Sequence, residues 1–220
     1  MINMKKVLIA GVAALMVSAG IKAQDSTATM TTSNGKIGNM SVSAFQQKNK
    51  KGGEMVAAIT PTDKPLSAAD QKLMMKVAAG GQMQLALSQA ALNKVQSPEA
   101  KLLAQSEVEE QTGVAAKLQE IASAKGISLP GGPDDAAQAA VSKMESMNEK
   151  GLDAYYIKES GVNGHIKLKT TMTTVLASAK DPALKALANA TLPVINMHLS
   201  VSTNLSKTMS GAASTAMSNK

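Results

Sequence analysis

The chain has 220 residues, 44% of them hydrophobic, with no Cys, no Trp, one Phe and two Tyr. This length favours one helical domain with extensions, because so few large rings make an all-β sandwich core or a platform for stacking bases hard to build. Every one of the 23 basic residues is Lys, so the bidentate guanidinium that reads guanine edges and phosphates is missing. The absence of Cys excludes disulfides, iron–sulfur clusters and thiolate zinc sites in this chain.

The first 23 residues have the pattern of a secretory signal peptide. Lys5 and Lys6 precede an apolar run over 7–19, and the small residue Ala23 comes just before a polar stretch. The run of 13 residues is short for the roughly 20 that span a bilayer, so we expect cleavage rather than an uncleaved anchor. No later run approaches that length. The sequence therefore predicts an exported protein without a transmembrane segment, located in the periplasm, at the outer membrane or outside the cell.

A change of composition at Ser67 separates an amino-terminal segment from a helical region. Residues 24–66 are rich in Ser, Thr, Gly, Asn and Lys and show no sustained apolar period, which predicts a flexible tether. The lysines at its centre are interpreted as solvated charge rather than as a nucleic-acid surface, so no nucleic-acid partner is expected.

Start and stop signals after residue 67 predict a four-helix bundle over 67–207. The predicted elements are a first helix capped by Ser67 and ending near Lys94, a second from Ser97-Pro98 to about Lys125, a short helix from Asp134-Asp135 to about Met147, a third long helix over about 152–179, a fourth from Asp181-Pro182 past Leu205, and a flexible tail over 208–220. The short joints between the first two and the last two helices make antiparallel hairpins. The long connection between the second and third helices either turns at one end or crosses the bundle, and the sequence leaves both topologies open.

Each predicted helix carries one polar residue near the middle of its apolar stripe. Spacings of three and four define the stripe that a bundle helix buries, and the polar residues on these stripes are Gln84, Gln111, His165 and His198. Because they lie at similar distances from the joints, we expect them to meet in one mid-bundle layer. An unpartnered buried polar group costs roughly a few kcal/mol, so the layer is hydrogen-bonded internally, hydrated or occupied by a ligand.

Short sequences in all four predicted long helices resemble domain-of-unknown-function family 4142. They are AAGG at 78–81, LQEIASAKG at 118–126, LDAYY at 152–156, GH at 164–165, LP at 192–193 and HL at 198–199. The resemblance covers 67–206 and implies a bacterial exported protein, often labelled a membrane or outer-membrane protein, with a ferritin-like four-helix fold and no established activity. The family pattern of Glu, Asp-His, Asp-His and His in successive helices is represented here by Gln84, Glu110-Gln111, Gly164-His165 and His198. Much of the presumed ligand set is therefore replaced.

The polar layer has a structural and a metal-binding interpretation. A ferritin-like di-iron centre needs about four carboxylates and Glu-x-x-His on two helices, and neither histidine has Glu three residues before it. A simpler site for Zn²⁺, Cu²⁺ or Fe combines His165 and His198 with Glu107 or Glu110. The interpretation that the sequence favours is two core histidines hydrogen-bonded to the two glutamines of the layer.

No motif in the sequence indicates catalysis. The chain has no Gly-x-Ser-x-Gly elbow and no P-loop, and the 15 methionines, Met144 and Met147 included, are interpreted as core filler rather than as Cu(I) ligands. We therefore expect a non-enzymatic binding or interaction module of the cell envelope, without a cofactor, that contacts an unknown envelope protein or surface component. The alternatives are a metal-binding protein that uses the mid-bundle layer, and a protein whose two terminal segments do the binding.

Overall fold

The computed structural model describes residue 32 and residues 35–218, and the predicted signal peptide lies outside the described residues. A short antiparallel hairpin of β1 (Lys36–Ile37) and β2 (Met40–Ser41) leads into a helical chain. The helices are α1 (Val42–Ala57), α2 (Ala68–Leu92), α3 (Pro98–Ala124), α4 (Asp135–Glu145), α5 (Glu149–Tyr156), a π-helical segment (Ile157–Gly164), α6 (His165–Ser178) and α7 (Pro182–Ser218). The predicted all-α fold with a short extra helix is confirmed.

Side-chain caps begin four helices at the residues that the sequence indicated, Asp181 before α7 among them. The Ser67 hydroxyl accepts a hydrogen bond from the Asp70 amide at 3.1 Å, and Ser97 accepts one from Ala100 at 3.2 Å. Asp134 caps α4 in the same way. These side chains satisfy backbone N–H groups that have no partner inside the helix, which is why Ser and Asp are favoured at this position.

The four bundle helices are α2, α3, α7 and a third bundle helix made of α5, the π-helical segment and α6. The α2–α3 joint touches the start of the third bundle helix, because the Asp153 carboxylate accepts hydrogen bonds from the amides of Gln96 and Ser97 at 2.9 and 2.7 Å. The third bundle helix therefore begins at the end of the bundle where α3 begins, and the two run parallel.

Contacts at the opposite end agree with this direction. The Asp70 carboxylate, at the start of α2, accepts hydrogen bonds from the amides of Lys180 and Asp181 at 3.0 and 3.1 Å. Lys125, just after α3, forms a buried ion pair with Asp181 at 2.7 Å. The chain therefore crosses the bundle between α3 and α5, and α4 packs against α2 on the way. The crossover topology is the one found, and antiparallel packing holds within each hairpin but not between α3 and the third bundle helix.

The segment predicted as a flexible tether contains a packed helix. α1 lies against α3 and α7, with Val42, Phe45 and Val56 buried. Farther along, the Lys125 ammonium donates to the Thr62 carbonyl at 2.8 Å and fixes the connection to α2. The tether prediction is wrong for this part of 24–66, because its apolar residues are few but share one helical face.

α7 continues to Ser218, so the part of the predicted flexible tail (208–220) that the structure describes, 208–218, is helical instead. Among the described residues, no helix combines the length and the apolar character that a membrane-spanning segment requires.

The buried apolar residues form two clusters, one toward each end of the bundle. One cluster includes Met74, Leu118 and Leu184, and the other includes Leu103 and Met144, so Met144 packs in the core as expected. Between them, the bundle helices bury polar side chains instead. The inward stripes predicted for α3 and α7 are buried over their whole length, and they carry the polar residues of this middle layer.

Candidate metal centre

Two carboxylates enter the middle layer from α3. Glu107 lies on the buried stripe of this helix and its side chain is 0% exposed, whereas the side chain of Glu110 is 9% exposed. Residues three apart lie on neighbouring positions of one helical face. α3 therefore supplies both acids from adjacent turns.

The third bundle helix brings His165 inward at a change of helix type. The π-helical segment ends at Gly164, and His165 is the first residue of α6. A Cβ at Gly164 would lie 2.2 Å from the Oε1 atom of Gln84, and one at Gly161 would lie 2.6 Å from the Oγ atom of Ser202. Two glycines thus let this segment approach α2 and α7 closely. π-Helical segments are rare, and those that interrupt α-helices occur frequently at functional sites.

The structure brings Glu107, Glu110, His165 and His198 together. Oε1 of Glu107 lies 2.6 Å from Nε2 of His165 and 2.5 Å from Nδ1 of His198, and Oε2 of Glu110 lies 3.1 Å from the same Nδ1 atom. One ligand-type atom from each of the four residues falls within 4.8 Å of all the others. Both imidazoles are fully buried, so the cluster is a compact set of two nitrogen and two carboxylate donors.

The outward nitrogen of each imidazole faces an oxygen that only accepts hydrogen bonds. Nδ1 of His165 donates to the Ser160 carbonyl at 3.1 Å, and Nε2 of His198 donates to Oδ1 of Asn49 at 2.6 Å. With the hydrogen held on the outer nitrogen, a neutral imidazole presents its lone pair at the inner nitrogen. Metal-ligating histidines are oriented by outer hydrogen bonds of this kind.

The inner donor atoms of the cluster have no hydrogen-bond partner, although they lie close together. The atoms without a hydrogen-bond partner are both carboxylate oxygens of Glu107, both of Glu110, Nε2 of His165 and Nδ1 of His198. Their only partners among the described residues are one another, since ion pairs of 2.5–3.1 Å join Oε1 of Glu107 and Oε2 of Glu110 to the inward nitrogens of the imidazoles. Buried polar atoms are nearly always satisfied, so a cluster whose inner donors face only one another favours an additional partner.

The donor set fits a divalent cation in charge and nearly in size. Two carboxylates balance a 2+ ion when both imidazoles are neutral, which leaves no net charge in the buried site. Zinc bonds of about 2.0–2.1 Å in a tetrahedron place neighbouring ligand atoms about 3.3 Å apart. The shortest separations, 2.5 and 2.6 Å, would have to widen by less than about 1 Å, which small side-chain rotations supply.

Without a cation, the negative charges of Glu107 and Glu110 favour a protonated His198. Burial alone would lower the pKa of His198, but the charges of Glu107 and Glu110 and their contacts outweigh it and raise this pKa to about 10. Burial would raise the pKa of Glu107, but the two histidines hold it well below its usual range. In the metal-free protein at neutral pH, a protonated His198 therefore partly offsets the carboxylates.

Among the described residues, neither glutamine of the predicted layer bonds to a histidine, and Gln84 supports the site through a shared acceptor. Nε2 of Gln84 donates to the Ser160 carbonyl at 3.1 Å, the same oxygen that holds His165. Gln111 is buried on α3 beside Gly81. The prediction that the histidines bond to these glutamines is wrong, because Glu107 occupies the position between the two imidazoles.

A small cavity of about 30 Å³ adjoins the partly exposed side of the cluster. It lies between α1, α3 and α7, and its lining includes Gly53, Glu110, Gly113 and Thr191. This space is about the size of one water molecule. Glu110 is thus the ligand candidate that faces the outside of the bundle.

The site lies within a match to a known family model. The model described as a domain of unknown function, DUF4142, matches residues 56–205, a range that includes the four clustered residues and all of α2 to α6. No curated protein and no solved structure matches the chain. The match begins near the end of α1, so nearly all of that helix lies before it.

Proposed function

Because this chain belongs to the DUF4142 family, whose function is unknown, we propose a function from its own middle layer: the protein binds one divalent transition-metal ion there. The ligands are Glu107 and Glu110 from α3, His165 from α6 and His198 from α7. The observation that carries this proposal is the set of buried inner donor atoms without hydrogen-bond partners.

Zn²⁺ is the ion that the donor set suits best. Zinc is bound by imidazole and carboxylate in four-coordinate sites and has no geometric preference from its d electrons. Cu²⁺ also accepts imidazole ligands and is the second choice. A ferritin-like di-iron centre does not fit, because it requires about four carboxylates and the cluster provides Glu107 and Glu110.

The shape of the site favours retention of the ion over turnover of an organic substrate. Glu107, His165 and His198 have fully buried side chains, and the adjoining cavity of about 30 Å³ holds a water molecule but no larger ligand. A bound ion would link α3, α6 and α7 through their ligands. We therefore propose a non-enzymatic metal-binding bundle in which the ion stabilises the fold or is stored.

The proposed place of action is the cell envelope. The pattern over residues 1–23, with Lys5 and Lys6 before an apolar run and Ala23 at its end, supports export. Fractionation of cells that express the full chain tests this part: recovery with the periplasmic or outer-membrane fraction supports it, and recovery with the cytoplasm contradicts it.

Elemental analysis tests the metal proposal. The full chain is expressed, purified without a chelator or a histidine tag, dialysed against Zn²⁺ and then freed of excess ion. We expect about one zinc per chain, and none in a folded His165→Ala/His198→Ala variant. Lys167→Ala/Ser200→Ala changes residues two positions further along the same helices and should keep the zinc. Equal zinc in all three proteins, or none in the wild type, would overturn the proposal.

A further inference from the structure

The helix α1 reaches the proposed metal centre from outside the region that the family model matches. It packs against α3 and α7, the helices that carry Glu107, Glu110 and His198. Its residue Asn49 is the hydrogen-bond partner of His198. A segment with the composition of a linker therefore contributes a direct contact to a ligand candidate.

The amide of Asn49 is held so that its oxygen faces the imidazole. Its Nδ2 atom donates to the Phe45 carbonyl, one turn earlier in α1, at 3.1 Å. Its Oδ1 atom then lies 2.6 Å from Nε2 of His198 and accepts the hydrogen of that nitrogen. With Nε2 protonated, the neutral imidazole has its lone pair on Nδ1, which is the atom that faces Glu107 and Glu110.

The position of Asn49 is fixed by the residues on either side of it on the same helical stripe. Phe45 is fully buried and its ring centroid lies 5.3 Å from that of His198. Gly52 lets the α1 backbone approach α7, because a Cβ there would lie 2.2 Å from Cγ2 of Val194. A glycine inside a helix costs roughly 0.5–1 kcal/mol relative to Ala, and here it permits this close approach. α1 therefore docks with Asn49 directed at the imidazole.

We infer that α1 is part of the metal centre and that Asn49 is a positioning residue, which sets the tautomer and orientation of His198 for metal binding. This inference deepens the proposed function and rests on it. An acceptor at the outer nitrogen also makes the inner nitrogen a stronger ligand, and loss of such a partner typically weakens metal affinity by about 10–100-fold.

Three variants of the full chain test the inference. Asn49→Leu removes the acceptor, Asn49→Asp keeps an acceptor oxygen in a side chain of similar shape but loses the bond from Nδ2 to the Phe45 carbonyl, and Gln47→Leu places the same leucine on the exposed face of α1. Zinc affinity is measured by competition with a chromophoric chelator, and circular dichroism confirms that each variant is folded. We expect Asn49→Leu to lose about 10–100-fold in affinity, while Asn49→Asp and Gln47→Leu stay within about threefold of the wild type.

Two further readouts separate positioning from packing. In the Co²⁺-substituted protein, Asn49→Leu should shift the visible absorption bands, because His198 is free to rotate, and Asn49→Asp should restore them. A solvent-protected Nε2–H proton of His198 should be visible by NMR in the wild type and lost in Asn49→Leu.

The outcomes distinguish this inference from the proposed function. If the wild type binds zinc and Asn49→Leu binds it with the same affinity and the same Co²⁺ spectrum, α1 is not part of the centre although the metal site stands. If Asn49→Leu and Asn49→Asp lose affinity equally, Asn49 acts through packing and the inference is overturned. If the wild type binds no zinc, both are overturned.

Discussion

Glu107→Gln is the substitution for which the structure predicts the sharpest separation of metal binding from folding. The change keeps the shape of the side chain and removes one negative charge from a position that is 0% exposed. With a 2+ ion bound, the site would then hold an uncompensated positive charge. Removing one partner of a buried charge pair costs about 3–5 kcal/mol, which corresponds to a loss of roughly 10²–10⁴-fold in affinity.

The metal-free variant should stay folded. A neutral amide replaces a buried carboxylate whose two oxygens have no hydrogen-bond partner, and its N–H groups can donate to the inward nitrogen of His165. The variant therefore removes a ligand charge, while Glu110 still faces the imidazole of His198. Melting in the presence of a chelator should show one cooperative transition near that of the chelated wild type.

Thermal melting with and without Zn²⁺ measures the effect. At a free zinc concentration 100 times the Kd, binding adds about 2.7 kcal/mol of stability, which raises the Tm of a chain of this size by about 5–11 °C. Glu107→Gln should lose most of this rise. Glu109→Gln, the same change at an exposed position of α3, should keep it. Equal zinc-dependent rises in Glu107→Gln and Glu109→Gln would refute the reasoning.

Three further outcomes follow from the geometry. Since the pKa of His198 is raised to about 10 in the metal-free protein, zinc must displace a proton from His198 below that pH. Calorimetry in buffers of different ionisation enthalpy should show about one proton released per zinc bound, and the zinc affinity should fall about tenfold per pH unit from about pH 9 to pH 6. A zinc affinity that does not change with pH would contradict this. Gly164→Ala places a Cβ 2.2 Å from Oε1 of Gln84 and should lower the free energy of unfolding by about 1–3 kcal/mol in urea titrations, while Gly113→Ala, with open space around it, should not lower it. Lys125→Met leaves its buried aspartate partner unpaired and should cost about 3–5 kcal/mol by the same assay; an unchanged midpoint would show that this pair does not hold the bundle end.

The bundle was predictable because its signals are local. Ser67 and Ser97 cap helices in the structure as the sequence indicated, and the stripe from Leu184 to Leu205 has the regular spacing of a buried face. The direction of the third bundle helix was not predictable, because it depends on contacts such as that of Asp153 with the α2–α3 joint. A capping residue and an apolar stripe predict where a helix begins and which face it buries, but they do not predict which helices pack beside it.

Helix α1 escapes prediction from the sequence because a polar residue and a glycine interrupt the apolar spacing of its buried face. Its inward stripe is Val42, Phe45, Asn49, Gly52 and Val56, with regular spacings of three and four. Two of the five positions are polar or lack a side chain, so the apolar period was too sparse to recognise. The residues that broke the pattern are the ones that hold His198 and permit the close approach to α7.

The histidines show a different limit of sequence reasoning. The stripes placed His165 and His198 at the same height as Gln84 and Gln111, and hydrogen bonds between them were the simplest expectation. Sequence spacing cannot tell which inward side chain takes the central position, and Glu107, on the same stripe of α3, takes it. A fully buried carboxylate is rare without a charged partner, and two facing imidazoles supply that partner.

The most direct test of the metal centre is anomalous diffraction at the zinc edge from crystals of the zinc-loaded full chain. The account predicts one anomalous peak per chain, within coordination distance of Glu107, Glu110, His165 and His198, and no comparable peak in the Glu107→Gln variant. A loaded crystal without a peak between these four side chains, or with its zinc at another position, would contradict the account.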